Sequence, residues 1–81
     1  MHFKLGSAYF VNENWDLAGQ SYRQAAELAP KDDAAAYNVA LCYARQQLWK
    51  DAASWFEEVL RRDPNHRERQ EILRKIEVLK R

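Results

Sequence analysis

Two histidines, one cysteine and three serines are the side chains of this 81-residue chain to weigh first as nitrogen or sulfur metal ligands or as nucleophiles. A closed metal site needs three or four nitrogen, sulfur or carboxylate ligands, and a nucleophilic thiol or hydroxyl needs a base within hydrogen-bond reach. His2 and His66 stand far apart in sequence, with no second histidine or cysteine at ligand spacing, and both read as surface residues. Cys42 falls among small residues and reads as a buried, inert thiol. Ser7, Ser21 and Ser54 sit in no nucleophile motif, and there is no glycine-rich phosphate loop. The charges in "LAPKDDAAA" and "RRDPNH" read as helix caps and solvated loop groups. The chain is therefore expected not to be an enzyme and to hold no metal or cofactor.

The elements that carry these residues are helical by composition. Alanine, leucine, glutamate, arginine and glutamine are abundant, threonine is absent, and there are two glycines and two prolines. Hydrophobic residues are 47% of the chain and charged residues 31%, a balance that excludes an intrinsically disordered segment. A net charge of +1 gives no field that would draw the chain to nucleic acid or a membrane surface, so neither is expected as a partner. A single cysteine cannot form an internal disulfide and suits a reducing compartment. The opening "MHFKLGSAYFVNENW" does not read as a signal peptide, and no stretch approaches the ~20 apolar residues of a membrane span. A cytoplasmic location is the resulting expectation.

Pro30 and Pro64 are 34 residues apart, and shifting the chain by that distance superposes like on like. Leu5 meets Val39, Gly6 meets Ala40, Tyr9 meets Tyr43 and Trp15 meets Trp49. Ala18 meets Ala52, Tyr22 meets Phe56 and Ala25 meets Val59. A period of 34 with helical spacing inside it is the mark of a stacked helix–turn–helix array. "LGSAYFVNENWDLAGQSYRQAAELAP" and "VALCYARQQLWKDAASWFEEVLRRDP" resemble two consecutive tetratricopeptide repeats. The resemblance covers roughly residues 1 to 65. It departs where the family often has a large opening aromatic, since His2 and Ala36 stand there. It implies an all-α, right-handed superhelical solenoid of about five helices in one domain: repeat 1 over 1–31, repeat 2 over 32–65 and a capping helix over 66–81.

The periodicity predicts helices near 2–12, 16–28, 33–46, 50–62 and 66–80. Asn14 and Asp32 are placed to cap the second and third. Small residues (Gly6, Ala18, Ala40, Ala52) let helices approach, and Tyr9, Tyr22, Tyr43 and Phe56 fill the space beside them. Trp15 and Trp49 are expected to wedge between helices at the turns. The last segment, "HRERQEILRKIEVLKR", fits no third repeat, because Arg74 falls on Ala40 and Glu77 on Tyr43. Ile72, Leu73, Ile76 and Leu79 instead form one apolar stripe, as a terminal capping helix requires. Trp55 is expected to pack near it. With six basic residues against three acidic ones, this segment carries +3, but its interleaved acids predict a salt-bridged, solvated face.

Repeat packing leaves one set of residues over. Phe3, Ser7 and Phe10, with their counterparts Tyr37, Leu41 and Ala44, lie at helical spacing on a second apolar face of each first helix. A helix apolar on two faces is buried twice or keeps one face for a partner. In the tetratricopeptide family the first helices line a concave groove that holds a peptide or helix. The resemblance therefore implies a peptide-binding groove of Phe3, Ser7, Phe10, Tyr37, Leu41, Ala44 and Arg45, with Arg45 at the rim for an acidic group. Some relatives clamp a C-terminal carboxylate. Asn38 matches one such position, but Phe3 and Ser7 do not, so a clamp of that kind is not expected. The expected role is protein–protein interaction, as a scaffold or adaptor for a protein or peptide partner. Two other readings stand beside it. One is self-association as a homodimer, including by domain swapping, since two repeats are few for stability. The other is an excised or engineered fragment of a longer repeat array.

Overall fold

The computed structural model describes residue 12 and residues 14–80. The expected first helix near 2–12, with Gly6 and Tyr9, lies outside the described residues. Four helices follow in order: α1 (Trp15–Leu28), α2 (Asp33–Arg45), α3 (Trp49–Arg62) and α4 (Arg69–Leu79). Among the described residues there is no strand, and no helix is long and apolar enough to cross a membrane. Each helix packs against the next, and short connections make neighbours antiparallel.

Two apolar clusters hold the helices together, and both include α2. Its Ala35, Val39 and Cys42 join Ala18, Tyr22 and Ala26 of α1. One residue further round the helix, Ala36 and Ala40 join Phe56 and Val59 of α3 and Ile72 and Ile76 of α4. The expected contact residues Ala18, Ala40 and Ala52 are all fully buried, and so are Tyr22 and Phe56 to within a few per cent. A closer approach than the repeat predicts occurs at Gly19. A Cβ built there would lie 3.3 Å from the Cβ of Cys42, so this glycine is what lets α1 and α2 meet.

The helix ends show which local signals act. Asp32 caps α2 as expected, its carboxylate accepting from the Ala34 N–H at 2.9 Å. Asn14 occupies the N-cap of α1, but its side chain makes no capping hydrogen bond, which corrects that expectation. At the far end of α2 the Gln47 N–H donates to the Ala44 carbonyl and the Leu48 N–H to that of Tyr43. This pattern places Gln47 in the left-handed region at φ 63, where glycine is favoured. We expect Gln47→Gly to stabilise the fold by about 0.5–1 kcal/mol, the relief of a side chain at positive φ less the extra freedom of the unfolded chain. Thermal unfolding checks this: the midpoint should rise by a few degrees, and a fall would contradict the turn geometry.

Two apolar positions depart from expectation. Leu73 is 38% exposed, because Ile72 and Ile76, one turn apart, take the contact with Phe56 and Val59 instead. Trp49 is 47% exposed rather than wedged. Its counterpart Trp15 is covered by the Arg45 guanidinium, 5.4 Å from the ring, while the Gln46 amide donates to the Trp15 carbonyl. Thirty-four residues on, those two positions are Leu79 and Lys80, and Lys80 pairs with Glu57 at 2.8 Å instead. Trp55 packs against both clusters, so it bridges the two halves of the core as well as lying near α4.

Candidate functional site

A third side of α2 carries Tyr37 and Leu41, which pack against the edge of the second cluster, with Ala44, all three half-buried, and the exposed Arg45. Three of these four border one cleft. Leu41, Ala44 and Arg45 form its α2 wall, Val78 and Leu79 with Lys75 form its α4 wall, and Phe56 of α3 is its floor. The cleft holds about 400 Å³ and its surface is mostly apolar. A space of that size, closed on three sides by packed helices, takes one or two apolar side chains. Arg74 and Glu71 stand at its mouth and pair with each other at 3.7 Å.

Tyr37 is turned away from this cleft. Its ring meets Phe56 edge to face at 5.7 Å and lies parallel to the His66 imidazole at 6.0 Å. The Lys75 ammonium donates to its hydroxyl at 3.4 Å. Tyr37 thus props Phe56 and Lys75 from behind and borders a second, more polar hollow with Asp33, Asp63 and His66. Phe3, Ser7 and Phe10 lie outside the described residues.

Lys75, Val78, Leu79 and Phe56 were not among the groove residues that the sequence suggested. The apolar stripe of α4 had been assigned to covering the core, and only Val78, which is 61% exposed, lies off that stripe as a signal of a second use.

The Cys42 thiol is fully buried, and that burial pushes its pKa up to about 11, so it is not a thiolate at neutral pH. His66 is not the surface residue expected: its side chain is only 14% exposed. Nδ1 accepts the Glu68 N–H at 3.0 Å and Nε2 lies 3.4 Å from the Asp33 carboxylate, so the ring ties the α3–α4 connection to the start of α2. Among the described residues no group of three or more histidine, cysteine or carboxylate side chains could hold a metal ion.

Antiparallel helices stacked in sequence, with a groove framed by alternate members, define a helical-repeat protein. The chain belongs to the tetratricopeptide repeat family, which matches residues 3–67. No curated protein matches the chain. Repeats of this family generally mediate protein–protein interaction and are generally non-catalytic.

Proposed function

We propose that this chain is a scaffold or adaptor module that holds an apolar or aromatic segment of a partner protein in the cleft between α2 and α4. The observation that carries the reading is the cleft itself: an apolar hollow of about 400 Å³ that the described side chains leave unfilled. A fold this small keeps such a surface at a cost in stability, since Leu41 and Val78 remain in contact with water. Phe3, Ser7 and Phe10 extend the same surface in this proposal, at the positions that match Tyr37, Leu41 and Ala44. One or two apolar anchors, after ordering costs, correspond to micromolar affinity, about −8 kcal/mol. A cytoplasmic setting belongs to the same proposal, because Cys42 is a free thiol.

Selection of peptides from a random display library on the folded protein tests the reading. Leu41→Glu places a charge on the cleft wall, at a half-buried position that packs against the rim of the cluster around Phe56. It should weaken the selected peptides by tenfold or more, while helical circular dichroism is retained and the unfolding midpoint falls by only a few degrees. Peptides that bind Leu41→Glu as well as they bind the unaltered chain would remove the cleft as the site.

A further inference from the structure

The rim of the α2–α4 cleft carries a charge imbalance that bears on what the cleft accepts. Among the described residues, three cations, Arg45, Arg74 and Lys75, border it against a single anion, Glu71. Glu71 pairs with Arg74, and both are largely exposed. Neither Arg45 nor Lys75 has a carboxylate partner among the described residues. Both are held on aromatic faces instead. The Arg45 guanidinium lies 5.4 Å from the centre of the Trp15 ring, and the Lys75 ammonium lies 5.5 Å from that of Phe56 and 5.6 Å from that of Tyr37. Contact with a ring fixes a cation in place while leaving its charge unneutralised. Two positioned charges thus flank the apolar floor, one on each wall, on helices that rigid packing holds together.

Building on the proposed role of the cleft, we infer that its occupant is an acidic peptide segment, with side-chain carboxylates flanking an apolar anchor. The anchor fills the space over Phe56 between Leu41 and Val78. The carboxylates supply the anions that Arg45 and Lys75 lack among the described residues. Because the charges lie on opposite walls, the segment needs acids on both sides of the anchor, and a free C-terminus is not required. The rim is open to solvent, so the preference weakens as salt rises. The overall charge of +1 conceals this local field, since acids elsewhere on the chain offset it.

Two fluorescein-labelled peptides, blocked at both ends, test the inference by anisotropy. Each has a leucine–phenylalanine core, flanked in one by glutamates and in the other by glutamines. The glutamate peptide should bind about tenfold more tightly at low salt. Arg45→Gln combined with Lys75→Gln should abolish that difference, so that the two peptides bind this variant equally, with unfolding midpoints confirming the fold. Equal binding of the two peptides to the unaltered protein would overturn the charge inference while leaving the cleft reading intact. If neither peptide shifts the methyl resonances of Leu41 and Val78 in an NMR titration, the cleft reading fails and the inference fails with it. Tighter binding of a single-stranded oligonucleotide than of the glutamate peptide would overturn it in favour of a polyanion.

Discussion

Replacing Arg62 with alanine is expected to destabilise the protein by about 3–4 kcal/mol, out of a total of roughly 4–12 kcal/mol for a domain of this size. Arg62 lies at the end of α3, and its side chain is only 6% exposed. Its Nη1 donates to the carbonyls of Ala26 at 3.0 Å, Ala29 at 3.3 Å and Asp32 at 2.9 Å, while its Nε donates to Glu58. A helix leaves its last carbonyls without partners, and α1 has no basic residue in its own last turn. Arg62 supplies the missing donors from the neighbouring repeat, so one guanidinium ends α1, braces its connection to α2 and ties both to α3. Alanine would leave the partly buried Ala26 carbonyl and Glu58 without that donor and would unlink the exposed Ala29 and Asp32 carbonyls from α3. The unfolding midpoint should fall by more than ten degrees. Arg62→Lys keeps the charge but cannot fork to several carbonyls, and should recover less than half of the loss. Arg61→Ala, which removes a largely exposed partner of the same Glu58, should lower the neutral-pH midpoint by less than half as much as Arg62→Ala. Similar effects of Arg61→Ala and Arg62→Ala would contradict this assignment.

Glu58 gives the same network a pH signature. Hydrogen bonding from Arg61, and after it from Arg62, outweighs the opposing effect of burial and lowers the Glu58 pKa from 4.5 to about 2. The unfolded chain therefore takes up this proton at a higher pH than the folded chain. The stability Glu58 provides is present above about pH 4.5 and is lost as pH falls from there to about 2. Glu58→Gln should lack that part of the acid limb in a series of denaturant titrations.

Phe56→Ala is expected to cost about 3–5 kcal/mol and to leave much of the population unfolded. Phe56 is 1% exposed and stands where α2, α3 and α4 meet, with Ala36, Ala40, Val59 and Ile72 around it. Tyr37 braces its ring and Lys75 lies over it, so the cavity cannot collapse without moving the cleft wall. Phe56→Leu keeps most of the volume and should cost less than about 1.5 kcal/mol. Equilibrium denaturation of the two variants checks the ranking. A cost for alanine close to that for leucine would mean that α4 relaxes onto α3, and hence that the cleft has no fixed floor.

Much of the core was legible because helical packing leaves a regular trace. Ala18, Ala40 and Ala52 recur where helices cross, Tyr22 and Phe56 recur beside them, and the 34-residue shift makes each pair visible twice. Arg62 was not legible. At the sequence level it is one of two arginines near a helix end, and its three carbonyl partners are defined only once α1 stops beside it. Tyr37 and His66 show the same limit: helical spacing put Tyr37 on the groove face, but its ring stacks on a histidine from the α3–α4 connection, a contact no single helix predicts. Leu73 failed because the repeat register and the stripe of α4 compete, and Ile72 and Ile76 fit the space over Phe56 better. Leu41, Ala44 and Arg45, which helical spacing places on one side of α2, border the cleft together. The α4 wall was missed because one helix both covers the core and borders the cleft, and its sequence shows the first use more plainly.

Sedimentation equilibrium over a wide concentration range, run on the unaltered chain and on Leu41→Glu, tests the central claim most directly, because a cleft kept for a partner must be empty in the isolated protein. The account predicts a 9.6 kDa monomer for both, at every concentration. A dimer of the unaltered chain that Leu41→Glu dissolves would contradict it, for the cleft would then be filled by a second copy of this chain.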